Sequence, residues 1–221
     1  MSRPHPSHRR RRALPAALPA TLAAVLLVGL AACSGDDEPD DAAPTTAPPP
    51  VLADLDTTAM VVARADFCDA VDPAAVTTAL GDAEGEAAPY SSGDPVDLGT
   101  GSESLVHEFG CRWSDPTGAI GAAAWVFAPP VPTEAAEQYV AAAAAVEGCR
   151  TLDTAPAFGA PTLALACAQP AATEVSFRGL FGDAWLACSL TAPTTGAAAT
   201  SAEDLVERGA AWCAAVAVAA S

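Results

Sequence analysis

Two hydrophobic periods share the chain beyond residue 59, one of two residues and one near 3.6. Over 104–113, Leu105, His107, Phe109, Cys111 and Trp113 fall on one parity, while Val106, Glu108 and Arg112 take the other. That alternation predicts a strand with one buried face. Asp115-Pro116-Thr117-Gly118 supplies turn chemistry, and 119–128, with Trp125 and Phe127, returns as a second strand. Leu163, Leu165 and Cys167 alternate in a third. Val175 and Phe177 alternate with Glu174, Ser176 and Arg178 in a fourth. Gly182-Asp183 then turns the chain into a fifth, 184–190, where Leu186, Cys188 and Leu190 face together. Trp185 has the parity opposite to Cys188, which predicts an exposed side chain and a possible binding face.

Helical punctuation appears at three places. Asp72-Pro73 reads as an N-cap and first-turn proline for a short helix, 73–80, stopped by Gly81. Pro132-Thr133 opens an alanine-rich helix from Glu134 to about Glu147, with Cys149 at its end and Gly148 as its stop. Thr200 and Glu203 form a capping box for a last helix, about 202–219, striped by Leu205, Gly209, Cys213, Val216 and Ala220. Residues 82–103, rich in Gly, Pro, Ser and acids, read as a long loop. The order predicts an α+β domain: an antiparallel sheet of about five strands with helices packed on one face.

The pattern changes sharply ahead of this domain. A basic segment, Arg3 and Arg9 to Arg12, precedes an apolar run, Ala20 to Ala32, too short to span a bilayer comfortably and preceded by Pro15 and Pro19. The run ends in Leu30-Ala31-Ala32-Cys33, the place where a lipoprotein leader is cut and the cysteine acylated. Residues 1–32 therefore read as a signal peptide, with the general secretion route favoured over the twin-arginine one. Cys33 becomes a lipidated anchor, carrying palmitate or similar chains, on the outer face of the cell membrane. Each buried methylene contributes about 0.8 kcal/mol, so two or more chains hold where one does not. Residues 33–58, with Asp36, Asp37, Glu38, Asp40, Asp41 and a proline run, read as a disordered tether, and 59–221 as one domain.

Removing the leader makes the chain more acidic. Five of the ten arginines lie before Cys33 and all 27 acids after it, so the mature chain carries −22 and no lysine. Such a charge repels nucleic acid and anionic lipid surfaces. Six cysteines remain after Cys33: Cys68, Cys111, Cys149, Cys167, Cys188 and Cys213. Six can pair in fifteen ways, and an exported chain is expected to form three disulfides. Element order favours Cys68 with Cys111, Cys149 with Cys167 and Cys188 with Cys213. No C-x-x-C occurs, so neither a redox motif nor a zinc knuckle is supported.

Several of these features occur together in one kind of protein. The lipobox, the tether, Asp66-Phe67-Cys68 before a short helix, Gly110-Cys111-Arg112-Trp113 on a strand and Trp212-Cys213 in a terminal helix resemble a group of actinobacterial cell-surface lipoproteins built on a domain of unknown function. That resemblance implies a surface-anchored, disulfide-bonded domain without assigned enzymatic activity. Cys149 and Cys167 fall outside its pattern. A more distant likeness is to the extracellular sensor domains of bacterial serine/threonine kinases.

Catalytic chemistry has few candidates. His107 is the sole histidine after Cys33, and on a strand it points away from Glu108, so a half-buried structural role is expected. No G-x-S-x-G elbow is present, and Gly99-Thr100-Gly101-Ser102 lacks the lysine and helix of a phosphate loop. Asp94 with Asp97, and Glu84 with Glu86, match no calcium loop. No catalytic residue, metal or cofactor is expected. The sequence therefore predicts a non-enzymatic binding or accessory domain, membrane-held through Cys33, for an envelope protein or small ligand. A carrier of lipid or another apolar ligand is the alternative, and an envelope hydrolase using His107 a third reading.

Overall fold

Asp72 caps the first helix as the Asp-Pro pair predicts. Its carboxylate accepts the Ala74 amide at 2.8 Å, and α1 (Pro73–Ala79) ends ahead of Gly81, whose φ is +73°. The computed structural model describes residues 48–97, 101 and 103–221. Cys33, the leader, the tether as far as residue 47 and most of the Gly99–Ser102 segment lie outside them.

After α1 come β1 (Glu86–Tyr90), β2 (Pro95–Asp97), β3 (Glu103–Leu105), β4 (Glu108–Ser114) and β5 (Gly121–Phe127). Then follow α2 (Thr133–Ala144), β6 (Cys149–Thr151), β7 (Thr162–Ala168), β8 (Ala172–Phe181), β9 (Ala184–Pro193) and α3 (Ala202–Ala219). Seven strands form one antiparallel sheet in the order β1-β4-β5-β9-β8-β7-β6, and β2 pairs with β3 alone. The α+β class holds, with seven strands instead of about five.

The two extra strands are both edges. In β1 four of five residues are exposed and Pro89 sits among them, so no apolar alternation marks it. Proline and polar side chains are how an edge avoids further pairing. β6 is only three residues long, and Cys149 belongs to it and not to the end of a helix. The segment expected as a loop, 82–103, thus contains β1, β2 and the first residue of β3. The strand expected over 104–113 is also interrupted: Val106 is buried and Leu105 is 64% exposed, the reverse of the parity forecast, because β3 ends before β4 begins.

One face of the sheet carries Cys111, Trp113, Ala124, Val126, Val175, Phe177, Leu186, Cys188 and Leu190, packed with α1 and α3 into the main core. Every residue of the forecast α3 stripe is buried. Trp212 meets Trp113 edge-on at 5.0 Å between centroids and donates its indole N–H to the Ala123 carbonyl at 3.3 Å. These two rings fill the space that surrounding alanines leave. The α3 cap is Ser201 rather than Thr200; its hydroxyl accepts the Asp204 amide and donates to the Asp204 carboxylate.

Helices do not lie on one face only. The chain leaves β5 mid-sheet and re-enters at the β6 edge, so α2 spans the strands between, on the side away from α3. There Ala136 packs with Leu180 and Trp185, and Ala143 with Leu163 and Leu165. Tyr139 closes the seam with edge contacts to Phe127 and Trp185. Trp185 is consequently 2% exposed. Its parity matches the sequence reading, but a helix covers that face, so it forms no free binding surface.

Three disulfides join the pairs that element order favours. Cys68–Cys111 and Cys188–Cys213 tie the loop before α1, and α3, to the core face of the sheet. Cys149–Cys167 links directly opposed residues of β6 and β7 on the α2 face. Gly179 of β8 lets the backbone at Phe158 lie directly on the strand: an added Cβ would meet the Phe158 carbonyl oxygen at 1.5 Å.

Candidate functional site

The α2 side of the sheet is only partly covered, and strand register defines what remains. One cross-sheet row reads Ala88, Arg112, Ala123, Ser189, Ser176, Leu165. The next reads Glu86, Ser114, Gly121, Thr191, Glu174, Cys167. Side chains in a row share a face, so both rows project to the α2 side. Toward β7 the rows run into apolar residues beneath the helix. Toward β1 they carry small or polar residues and enclose an open cleft of about 370 Å³.

Each wall has a distinct chemistry. Gly121 and Ala123 make a low floor on β5. Ser189 and Thr191 bring two hydroxyls from β9, both half-buried. Glu86 and Arg112 stand on the β1–β4 side, and Glu174 on the β8 side. Arg112 has no carboxylate partner among the described residues; its guanidinium lies over the Tyr90 ring, 5.2 Å from the centroid. Tyr90 rests over Gly110, where an added Cβ would come within 2.4 Å of the ring. Its hydroxyl donates to Glu108 at 2.9 Å. Burial, followed by the Glu108 charge, pushes that phenol far above its ordinary value, so it remains a donor. The stack fixes the direction of Arg112.

Glu174 is the electrostatic anomaly. Burial pushes its carboxyl above the ordinary value, and the attraction of Arg178, two positions beyond Ser176, opposes the shift without cancelling it. Neither Glu174 nor Arg178 makes an ion pair or hydrogen bond among the described residues, and the Arg178 Nε is buried without a partner. Between them Ser176 is 2% exposed, with an unpartnered hydroxyl. A buried hydroxyl without a partner costs about 1–3 kcal/mol.

The residues singled out in the sequence lie elsewhere. His107 precedes β4 and is exposed, not half-buried, because β4 starts at Glu108. It does not line the α2-side cleft. Glu108 is committed to Tyr90. Asp94 accepts the Ser91 amide, and Asp66 the Ser91 hydroxyl, beside a separate cleft of about 440 Å³. Among the described residues no group of three or more His, Cys, Asp or Glu is arranged to hold a metal ion. Of the carboxylates considered, Glu86 alone lines the α2-side cleft. The sequence did hold two of its other members: Arg112 and Glu174 take the non-core parity of strands already recognised. Overlaying those parities across paired strands is the signal that finds them.

No helix of the described residues is long and apolar enough to cross a membrane. No family model, curated protein or solved structure matches the chain.

Proposed function

We propose that the protein is a non-enzymatic binding domain, held by acylated Cys33 on the outer face of the cell membrane and engaging its ligand through the α2-side cleft. The lipobox, the basic and apolar leader and the acidic tether support the anchoring. Three disulfides support an oxidising compartment. The observation that carries the binding role is the cleft itself: charged groups of both signs and the hydroxyls of Ser114, Ser189 and Thr191 face one space without pairing. His107 stands outside it, so the cleft offers a bound molecule recognition and no histidine base. An apolar-ligand carrier has less support, because Trp113, Trp212, Trp185 and Tyr139 occupy the helix–sheet seams on both faces.

Two experiments test the parts separately. Fatty-acid labelling followed by membrane fractionation should find label on the wild-type chain and neither label nor membrane retention in Cys33→Ser. Wild-type protein that is unlabelled and soluble contradicts the anchoring. A photo-crosslinker at Ser189 should trap a product in intact envelopes that one at exposed Ala211 on α3 does not. Equal yields from both positions contradict the cleft.

A further inference from the structure

We propose that the Cys149–Cys167 bridge is a thiol-exchange site: an external dithiol attacks the Cys149 Sγ from the open edge of the sheet, Cys167 leaves, and the Glu174 carboxyl supplies its proton. The proposal adds an activity to the binding reading above and does not depend on a ligand in the cleft.

The chain has no C-x-x-C, yet strand register brings two cysteines together. Cys149 of β6 lies directly opposite Cys167 of β7. The Ala168 amide donates to the Gly148 carbonyl on one side of them, and the Leu152 amide to the Ala164 carbonyl further along, each at 2.9 Å. Cys149 and Cys167 are therefore a non-hydrogen-bonded pair, the kind whose side chains approach most closely. The ladder holds both sulfurs in place whether or not they are bonded, so this bridge opens and closes without unfolding the domain. The other two bridges differ. Cys68, Cys111, Cys188 and Cys213 are all buried in the main core, whereas Cys149 and Cys167 are each half-buried.

Exchange needs a thiolate that approaches in line with the S–S bond, and access decides which sulfur it reaches. Joining two directly opposed residues, this bond runs across the strands from β6 to β7. β6 is the last strand of the sheet, so the line of approach to Cys149 comes from the free edge. The opposite line, to Cys167, is closed by β8. There Glu174 faces Cys167 directly across the strand pair, with Cβ atoms about 4.5–5.5 Å apart in such a pairing. Burial keeps its carboxyl above the ordinary value, which favours the protonated form that a donor needs. The incoming thiolate bonds to the Cys149 Sγ, the S–S bond breaks, and its electron pair leaves on the Cys167 Sγ, which takes the Glu174 proton. The reagent's second thiol gives its proton to the Glu174 carboxylate and attacks the reagent sulfur of the mixed disulfide. Cys149 leaves as a thiolate and is protonated by water. One dithiol has become a disulfide and one bridge two thiols, a transfer of two electrons and two protons.

Timed reaction of the full-length chain with dithiothreitol, and separately with the monothiol glutathione, followed by alkylation and peptide mass mapping, tests this. Dithiothreitol should open Cys149–Cys167 about tenfold or more faster than either buried bridge. The near-ultraviolet signal of the Trp113–Trp212 pair should not change as it does so. Glutathione should be found on Cys149, leaving Cys167 as the free thiol. Glu174→Gln should slow the opening of this bridge about tenfold or more and leave that of Cys68–Cys111 unaltered. Three bridges opening together, glutathione mainly on Cys167, or an unslowed Glu174→Gln chain overturns the proposal. The order of opening and the position of the adduct are read on the wild-type chain, so the proposal can fail whether or not the variant folds.

Discussion

Glu174 shows how a single side chain can work against the fold that holds it. Its folded-state pKa is raised above the ordinary carboxyl value, so the folded chain is favoured most when the group is protonated. Stability is fully present below the ordinary value and is lost as pH rises through the raised one. Glu174→Gln removes the charge and keeps the shape. Its thermal midpoint should exceed that of wild type at neutral pH, with the gap closing as the buffer is acidified below the ordinary carboxyl range. A gap that is constant across pH contradicts the assignment. Two other positions act mainly through packing. Gly179→Ala drives a methyl into the Phe158 carbonyl and should lower stability by about 3 kcal/mol or more in denaturant titration. Trp212→Ala removes a fully buried ring from the main core and should cost about 3–5 kcal/mol.

Elements with strong local signals were legible in the sequence, and those defined by their neighbours were not. α1 and α3 announce themselves by cap, stop or stripe, and β5, β7, β8 and β9 by alternation. β1 and β6 have no pattern of their own, since an edge strand buries little and takes its register from β4 or β7. α2 was found as a helix, but its side of the sheet depends on a crossover from β5 to β6 that no local pattern encodes. Trp185 is buried and not exposed for that reason, and the cleft exists because α2 stops short of β1 and β4. The three bridges belong to this scale too. Loop entropy assigns about 4 kcal/mol to Cys68–Cys111, with a separation of 43, and about 3 kcal/mol to Cys149–Cys167, with a separation of 18. Paired alanine replacements should therefore destabilise in that order in chemical denaturation. Equal losses would mean that strand pairing, and not chain closure, sets their value.

At the scale of the whole molecule, charge, anchor and oxidation state form one argument. The chain from Cys33 onward, at −22 with no lysine, is repelled by anionic headgroups, so acidity alone would keep it off a membrane. In the proposed anchoring, acyl chains on Cys33 overcome that repulsion. The proposed export accounts for both the acylation and the oxidation that the three disulfides require. Intact mass spectrometry of protein extracted from native membranes, with and without reduction, reads all of this at once. The account predicts a chain beginning at Cys33, heavier by its acyl groups and gaining six protons on reduction. A chain that begins elsewhere, carries no acyl mass or already bears free thiols contradicts it.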